Sequence, residues 1–313
     1  MNLKTCIVIV GPTAVGKTNL SLELARQFST SIISADSRQC FKELNIGVAK
    51  PSSAELAEVN HFFINSHHII EEVNAALFEK LAIEWCNQIF EQKDIAIMVG
   101  GTGLYVKAFI EGLDEMPPSS SQTRNQILAA YNAHGIQWLQ QQLKESDPAF
   151  FESEEIHNPQ RMLRALEVVL TSGRSILSFQ SNKKRERPFN ILKIGLDLPR
   201  PVLYQRINSR VDEMLASGLV EEARSLLPYR HLNSLQTVGY RELFEQLDGK
   251  LSMEKCIELI KQNSRHYAKR QITWFRKDDT IHWFDAFKTA SCTAFVNEWL
   301  TAFIDPDQGK FER

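Results

Sequence analysis

Residues Gly11-Pro12-Thr13-Ala14-Val15-Gly16-Lys17-Thr18 satisfy G-x-x-x-x-G-K-[ST] in full, and they join two segments of different period. Before them, Thr5–Val10 is a short β-branched apolar run, which reads as a buried strand stopped by Gly-Pro. After them, Leu20, Leu24 and Phe28 recur every four residues, which predicts a helix over 17–28. A strand, a glycine-rich turn and a helix in this order form a cradle of backbone N–H groups at a helix N-terminus. The glycines let those amides close on phosphate oxygens, Lys17 adds a mobile cation, and Thr18 offers a hydroxyl to Mg²⁺. Gly11–Thr18 is therefore the expected site of a di- or triphosphate group. It does not name a reaction, because many chemistries use such a loop.

The rest of the chain extends this pattern. A second short strand is expected over 31–34, a helix over 75–91 with Leu77, Leu81, Trp85 and Ile89 in register, and a buried strand over 95–99 stopped by Gly100-Gly101. A strand over 191–198 precedes helices over 201–217, 220–227, 240–247 and 252–276, with a last strand over 281–284. Strands alternating with helices imply a parallel sheet covered on both faces, with ligands at the carboxyl ends of its strands. The pattern breaks at Met116–Ser121, a linker by composition, and only helices are expected from there to Pro188. One of them starts at Asn158-Pro159 and closes at Gly173, with Met162, Leu163, Leu166, Val169 and Leu170 as its buried face and Arg161 and Arg164 opposite. The expected fold is α/β, a P-loop NTPase-like parallel sheet flanked by helices. Residues 1–118 and 188–313 would form this core, and 119–187 a helical insertion.

Apolar residues make up 43% and charged residues 24%, a balance that excludes wholesale disorder. No apolar stretch approaches the roughly 20 residues of a membrane helix. Cys6–Val10 is too short for a signal-peptide core and leads into no cleavage pattern. Five scattered cysteines without a C-x-x-C fit a reduced cytoplasm. A net charge of −2 argues against a general nucleic-acid coat. The distribution differs from the total: residues 158–193 hold eight Lys/Arg against two acids, and residues 261–277 hold six Lys/Arg and no acid. Two basic tracts on a neutral background suggest a local polyanion site, or else two solvated helix faces.

The strand ends narrow the chemistry. A motor or switch NTPase runs an apolar strand into an Asp that holds Mg²⁺. Here the strand over 95–99 runs into Gly100-Gly101-Thr102-Gly103-Leu104-Tyr105, with a hydroxyl and no carboxylate. The second strand ends in Asp36-Ser37-Arg38-Gln39, where Asp36 can serve as metal ligand, proton acceptor or helix cap. His61, His67 and His68 have no acid or Cys at ligand spacing and read as structural.

Taken together, these blocks resemble the tRNA dimethylallyltransferases (isopentenyl-tRNA transferases). The resemblance rests on Gly11–Thr18, Ser34–Gln39, Ile46–Pro51, Gly100–Tyr105, Asn158–Glu167, Leu203–Ile207, Val238–Glu242 and Ala268–Arg276, and spans about residues 5 to 285. It implies transfer of a dimethylallyl group from dimethylallyl diphosphate to the exocyclic amine of an adenine beside the anticodon. The phosphate loop would then hold a pyrophosphate leaving group, with Lys17, the backbone amides and Mg²⁺ on Thr18 stabilising the charge as the C–O bond breaks.

Asp36 would accept the proton lost by the attacking amine, and Thr102 would hydrogen-bond near the reacting centre. Arg206 and Arg210, four apart on one helix face, are both placed for phosphate, and one of them would close over the leaving group. The base must leave its stack to reach the strand ends. The expected tRNA contacts are Asp36, Ser37, Arg38, Gln39, Thr102, Arg124, Gln160, Arg161, Met162, Leu163, Arg164, Arg241, Lys269 and Arg270. The enzyme is expected to be a cytoplasmic monomer that meets the tRNA anticodon arm and no membrane. Three other readings stand beside this one: a small-molecule kinase using ATP, a prenyltransferase acting on free adenine nucleotide, and a tRNA-binding protein with a vestigial loop.

Overall fold

The computed structural model describes residues 4–118, 121–181 and 183–304. Ser119 and Ser120 of the expected linker lie outside the described residues. The chain divides into two compact units. One comprises residues up to Ile110 together with those from Glu186 onward, and the other is Glu111–Arg185. The second unit thus begins before Met116, so the described part of the expected linker lies inside it.

Six strands build the sheet of the first unit: β1 (Thr5–Val10), β2 (Ile32–Ala35), β3 (His61–Phe62), β4 (Ile95–Gly100), β5 (Asn190–Asp197) and β6 (His282–Asp285). Their order is β3-β2-β4-β1-β5-β6, and every pairing is parallel. β1 lies between β4 and β5 and is buried along its whole length, which is why its six residues are apolar or β-branched without alternation. Val10 of β1 is level with Gly100 of β4, so the phosphate loop and the glycine turn leave the sheet side by side.

The helices of the first unit are α1 (Lys17–Phe28), α2 (Ser53–Glu58), α3 (Ala75–Phe90) and α4 (Gly103–Glu111), the last running one residue past the unit boundary. Those of the second unit are α5 (Ser121–Ser146), α6 (Pro148–Phe151) and α7 (Pro159–Ser172). The first unit resumes with α8 (Arg200–Ala216), α9 (Leu219–Leu226), α10 (Tyr240–Leu247), α11 (Met253–Phe275) and α12 (Thr289–Ile304). The two-residue strand β3 and helix α12 are absent from the sequence expectation. β3 is too short to show a period. α12 carries a legible signal, since Cys292 and Val296 are four apart and both fully buried.

The second unit has its own core, in which Leu139 and Leu143 of α5 meet Phe150, Met162, Ala165 and Leu166. α5 is broken at Gly135, whose φ of 75° is left-handed. α7 begins as the sequence predicts: the Asn158 side chain accepts from the Gln160 and Arg161 amides, Pro159 follows, and Gly173 closes the helix at φ 68°. Its inner face is narrower than expected. Leu170 is 58% exposed.

Candidate active site

The carboxyl ends of β1, β2 and β4 open into a cleft of about 420 Å³, lined by Thr13, Lys17, Thr18, Asp36, Arg210 and Tyr267 among others. The phosphate loop forms one wall. Gly11 has φ 146°, and a Cβ there would stand 2.6 Å from the Leu196 carbonyl oxygen of β5, so only glycine lets the chain turn this close to the next strand. Val15 is fully buried, which leaves the loop to present main chain rather than side chain. Gly16 precedes α1, and no side chain caps that helix. An uncapped helix N-terminus offers amide donors and positive potential to an anion.

Two cations close over this loop. Lys17 folds back, its Nζ donating to the carbonyls of Gly11 at 3.0 Å and Pro12 at 2.8 Å. Burial, and then the neighbouring Arg210 charge, lower its ammonium to about 7, with Asp36 acting in the opposite sense. Arg210 donates to the Thr13 hydroxyl at 3.1 Å, and burial lowers its guanidinium as well. Arg206 reaches the Val15 carbonyl at 3.3 Å and stacks over Phe287, 5.2 Å from the ring centroid. Both arginines therefore meet the loop, but Arg210 is the one that lines the cleft.

Asp36 and Ser37 belong to the opposite wall, with Thr102 behind them. Asp36 Oδ1 accepts from the Arg38 amide at 2.9 Å and the Gln39 amide at 3.3 Å, so it caps the turn after β2 while also lining the cleft. Thr102 ties the two strand ends together. Its hydroxyl accepts from the Ser37 amide at 3.0 Å, and its own amide donates to the Ala35 carbonyl at 3.2 Å. Gln39 is occupied as a strut: its amide group donates to the Val48 and Ala49 carbonyls, and its oxygen accepts from Ser34.

Three residues absent from the sequence expectation complete the site. Tyr267 of α11 stands beside Asp36 and Thr102, and burial together with the Asp36 charge pushes its phenol up to about 12, so it remains a donor. Gln271, one turn further along α11, accepts from the Thr13 amide and donates to the Gly101 carbonyl. Glu222 of α9 accepts from the amides of Asn45, Ile46 and Gly47 and from the Tyr240 hydroxyl, fixing the loop that contributes Gly47, Val48 and Ala49 to the cleft. Only the Gln271 segment stands in a recognised block; Glu222 has no local signal, because the three amides it accepts from are some 175 residues away in sequence.

Arg38, Arg241 and Arg270 line the cleft, and Lys269 is exposed on α11. In the second unit, Arg124 of α5 and Gln160 and Arg161 of α7 are exposed. Two expectations there are corrected. Met162 is fully buried in the core of that unit, as its place on the inner face of α7 implies, so its side chain is not offered to a nucleic acid; Leu163 is partly buried against the same core. The charges of Arg161 and Arg164 are also paired. Arg161 meets Glu155, and Arg164 meets the buried carboxylate of Glu167 at 3.2 Å and donates to the Pro117 carbonyl. Glu167 is at i+3 from Arg164, a neighbour on the next helical turn. The imidazoles have separate partners: His61 with the Val59 carbonyl, His67 with Ser66, His68 with Glu43. Among the described residues no group of three or more His, Cys, Asp or Glu gathers as a metal cage.

The IPP transferase family model matches residues 39–278, more than two thirds of the chain. The chain belongs to the IPP transferase family. Its relatives within that family include the tRNA dimethylallyltransferase of Christiangramia forsetii, 48% identical over 89% of this chain and 92% of the relative. Another is tRNA dimethylallyltransferase 1 of Bacteroides thetaiotaomicron, 46% identical over 90% and 92%. The crystal structure of a tRNA isopentenylpyrophosphate transferase from Bacillus halodurans superposes with a TM-score of 0.73 at 35% identity, covering 98% of this chain and 100% of that one. A eukaryotic dimethylallyltransferase captured acting on tRNA gives a TM-score of 0.77 at 26% identity, covering 99% and 82%. The similarity to the Bacillus halodurans structure spans the stretches of this chain that form the parallel sheet and its cleft.

Proposed function

We propose that this enzyme transfers a dimethylallyl group from dimethylallyl diphosphate to the exocyclic N6 amine of an adenosine next to the anticodon in tRNA, releasing pyrophosphate. The observation that carries this reading is the pairing of a phosphate loop with Asp36 across one cleft, where Thr102 holds the Ser37 amide next to that carboxylate. The phosphate loop receives the diphosphate through its amides, Lys17 and Arg210. As the C–O bond breaks, negative charge grows on the leaving oxygens, where these donors are already aimed. The N6 amine attacks the freed carbon, the new C–N bond forms, and the amine proton passes to the Asp36 carboxylate. Tyr267 and Thr102 place hydroxyls beside that carboxylate, whose oxygens can accept a hydrogen bond from the amine.

The Thr18 hydroxyl, a hard oxygen donor lining the cleft, suits Mg²⁺, which keeps most of its ligands from water and phosphate. Such an ion supplies further neutralisation of the pyrophosphate when bound. Ser37, Arg38, Arg241, Lys269 and Arg270 are the first unit's tRNA contacts, and Arg124, Gln160 and Arg161 those of the second. The five cysteines are all free and buried, which suits a reducing cytoplasm, and the enzyme acts as a monomer.

Titration calorimetry separates this reading from a small-molecule kinase. Dimethylallyl diphosphate binds at least about tenfold more tightly than ATP if the loop serves a prenyl donor; preference for ATP overturns the assignment.

A further inference from the structure

Gln271 is a buried amide placed between two loops rather than within one. Its Oε1 accepts from the Thr13 amide of the phosphate loop at 2.8 Å, and its Nε2 donates to the Gly101 carbonyl at 2.9 Å. The side chain is almost wholly buried. A Cβ on Gly101 would stand 2.1 Å from Nε2, so the glycine turn is cut to admit this amide. Each end of the bridge leads directly to a reacting group. Thr13 holds Arg210 through its hydroxyl, and Gly101 precedes Thr102, whose hydroxyl holds Ser37 beside Asp36.

We infer that Gln271 is a positioning residue for the transfer: it sets the separation between the diphosphate side of the cleft and the side where the amine is deprotonated. The inference rests on the function proposed above and extends it to Gln271, which borders the cleft while both ends of its amide are taken by the two loops. Its physical basis is the polarity of the bridge. One end must accept and the other must donate, at a fixed span. A neutral amide does both, a carboxylate only accepts, and a thioether does neither well. An in-line displacement between two separately held substrates is sensitive to such a span, because misplacement of about 1 Å costs on the order of a hundredfold.

The test uses the purified full chain with tRNA and dimethylallyl diphosphate. Gln271→Met preserves volume and removes both hydrogen bonds. It should lower kcat about 10- to 100-fold while both KM values move less than about threefold, the pattern of lost alignment rather than lost binding. Gln271→Glu keeps the bond from Thr13 but sets a carboxylate oxygen against the Gly101 carbonyl unless it is protonated, in which case it donates again. The ratio of its kcat to that of the parent should therefore rise about fivefold or more as the pH falls from about 8.5 to about 6. A merely structural glutamine gives no such pH signature. A parent-like kcat for Gln271→Met, or a ratio for Gln271→Glu that is flat with pH, overturns the inference while leaving the proposed function intact. A parent protein that prenylates no tRNA overturns both.

Discussion

The Lys17 ammonium and the Arg210 guanidinium face the same space above the phosphate loop, each held by a different oxygen of it: Lys17 by the Gly11 and Pro12 carbonyls, Arg210 by the Thr13 hydroxyl. Two cations at such range, both desolvated, make a site waiting for an anion. The cost appears in Lys17, whose ammonium titrates at about 7.

This gives a pH dependence with a definite sign. Below about pH 7 the free enzyme carries Lys17 protonated; above it the amine is neutral, and a bound diphosphate must restore the proton. The dissociation constant of dimethylallyl diphosphate should be level below pH 7 and rise toward tenfold per pH unit above it. Calorimetry above that pH, in buffers of different ionisation enthalpy, should report uptake of one proton by the protein. Lys17→Met should bind more weakly throughout and lose this uptake.

Asp36→Asn separates proton acceptance from loop capping. An asparagine oxygen can still accept from the Arg38 and Gln39 amides, so the turn should persist. Turnover should fall about 10²–10⁴-fold, with tRNA affinity nearly unchanged in a filter-binding titration. Near-normal turnover would leave Asp36 as a cap alone.

Glu222→Gln tests the loop that Gly47–Ala49 brings to the cleft. Glu222 Oε2 takes the Asn45 and Ile46 amides, and Oε1 takes the Gly47 amide and the Tyr240 hydroxyl. Whichever oxygen becomes an NH₂, donors then face a donor. Denaturant unfolding should show a loss of about 2–3 kcal/mol.

The arginines of α7 should not behave alike. Arg164→Ala removes an ion pair at the buried Glu167 carboxylate and should destabilise the second unit by about 1–3 kcal/mol. Arg161→Ala, at an exposed pair, should cost less than about 1 kcal/mol. For tRNA, the clearer probes are Lys269→Ala and Arg270→Ala. Each should lower the log–log salt slope of binding by about one if it meets a phosphate. An unchanged slope would move the tRNA off that face of α11.

Local chemistry made much of this site legible in advance. The phosphate loop, the Asp36 turn and the Thr102 turn each announce themselves within eight residues, and the caps of α7 are written as Asn158-Pro159 and Gly173. Glu222, Tyr267 and Gln271 were not legible as site residues, because only tertiary packing brings them to loops far away in the chain. The same holds for Arg164, whose outward position on a helical wheel says nothing of the carboxylate it covers. Period alone also overstated the apolar face of α7, where Leu170 is left to solvent.

The proposed function stands or falls on one measurement: mass spectrometry of the nucleosides of tRNA incubated with the purified protein, dimethylallyl diphosphate and Mg²⁺. The account predicts a single adenosine beside the anticodon that gains a five-carbon dimethylallyl group on N6, with one pyrophosphate released per transfer and no requirement for ATP. Unmodified tRNA, or modification of free adenine nucleotide in its place, would contradict it.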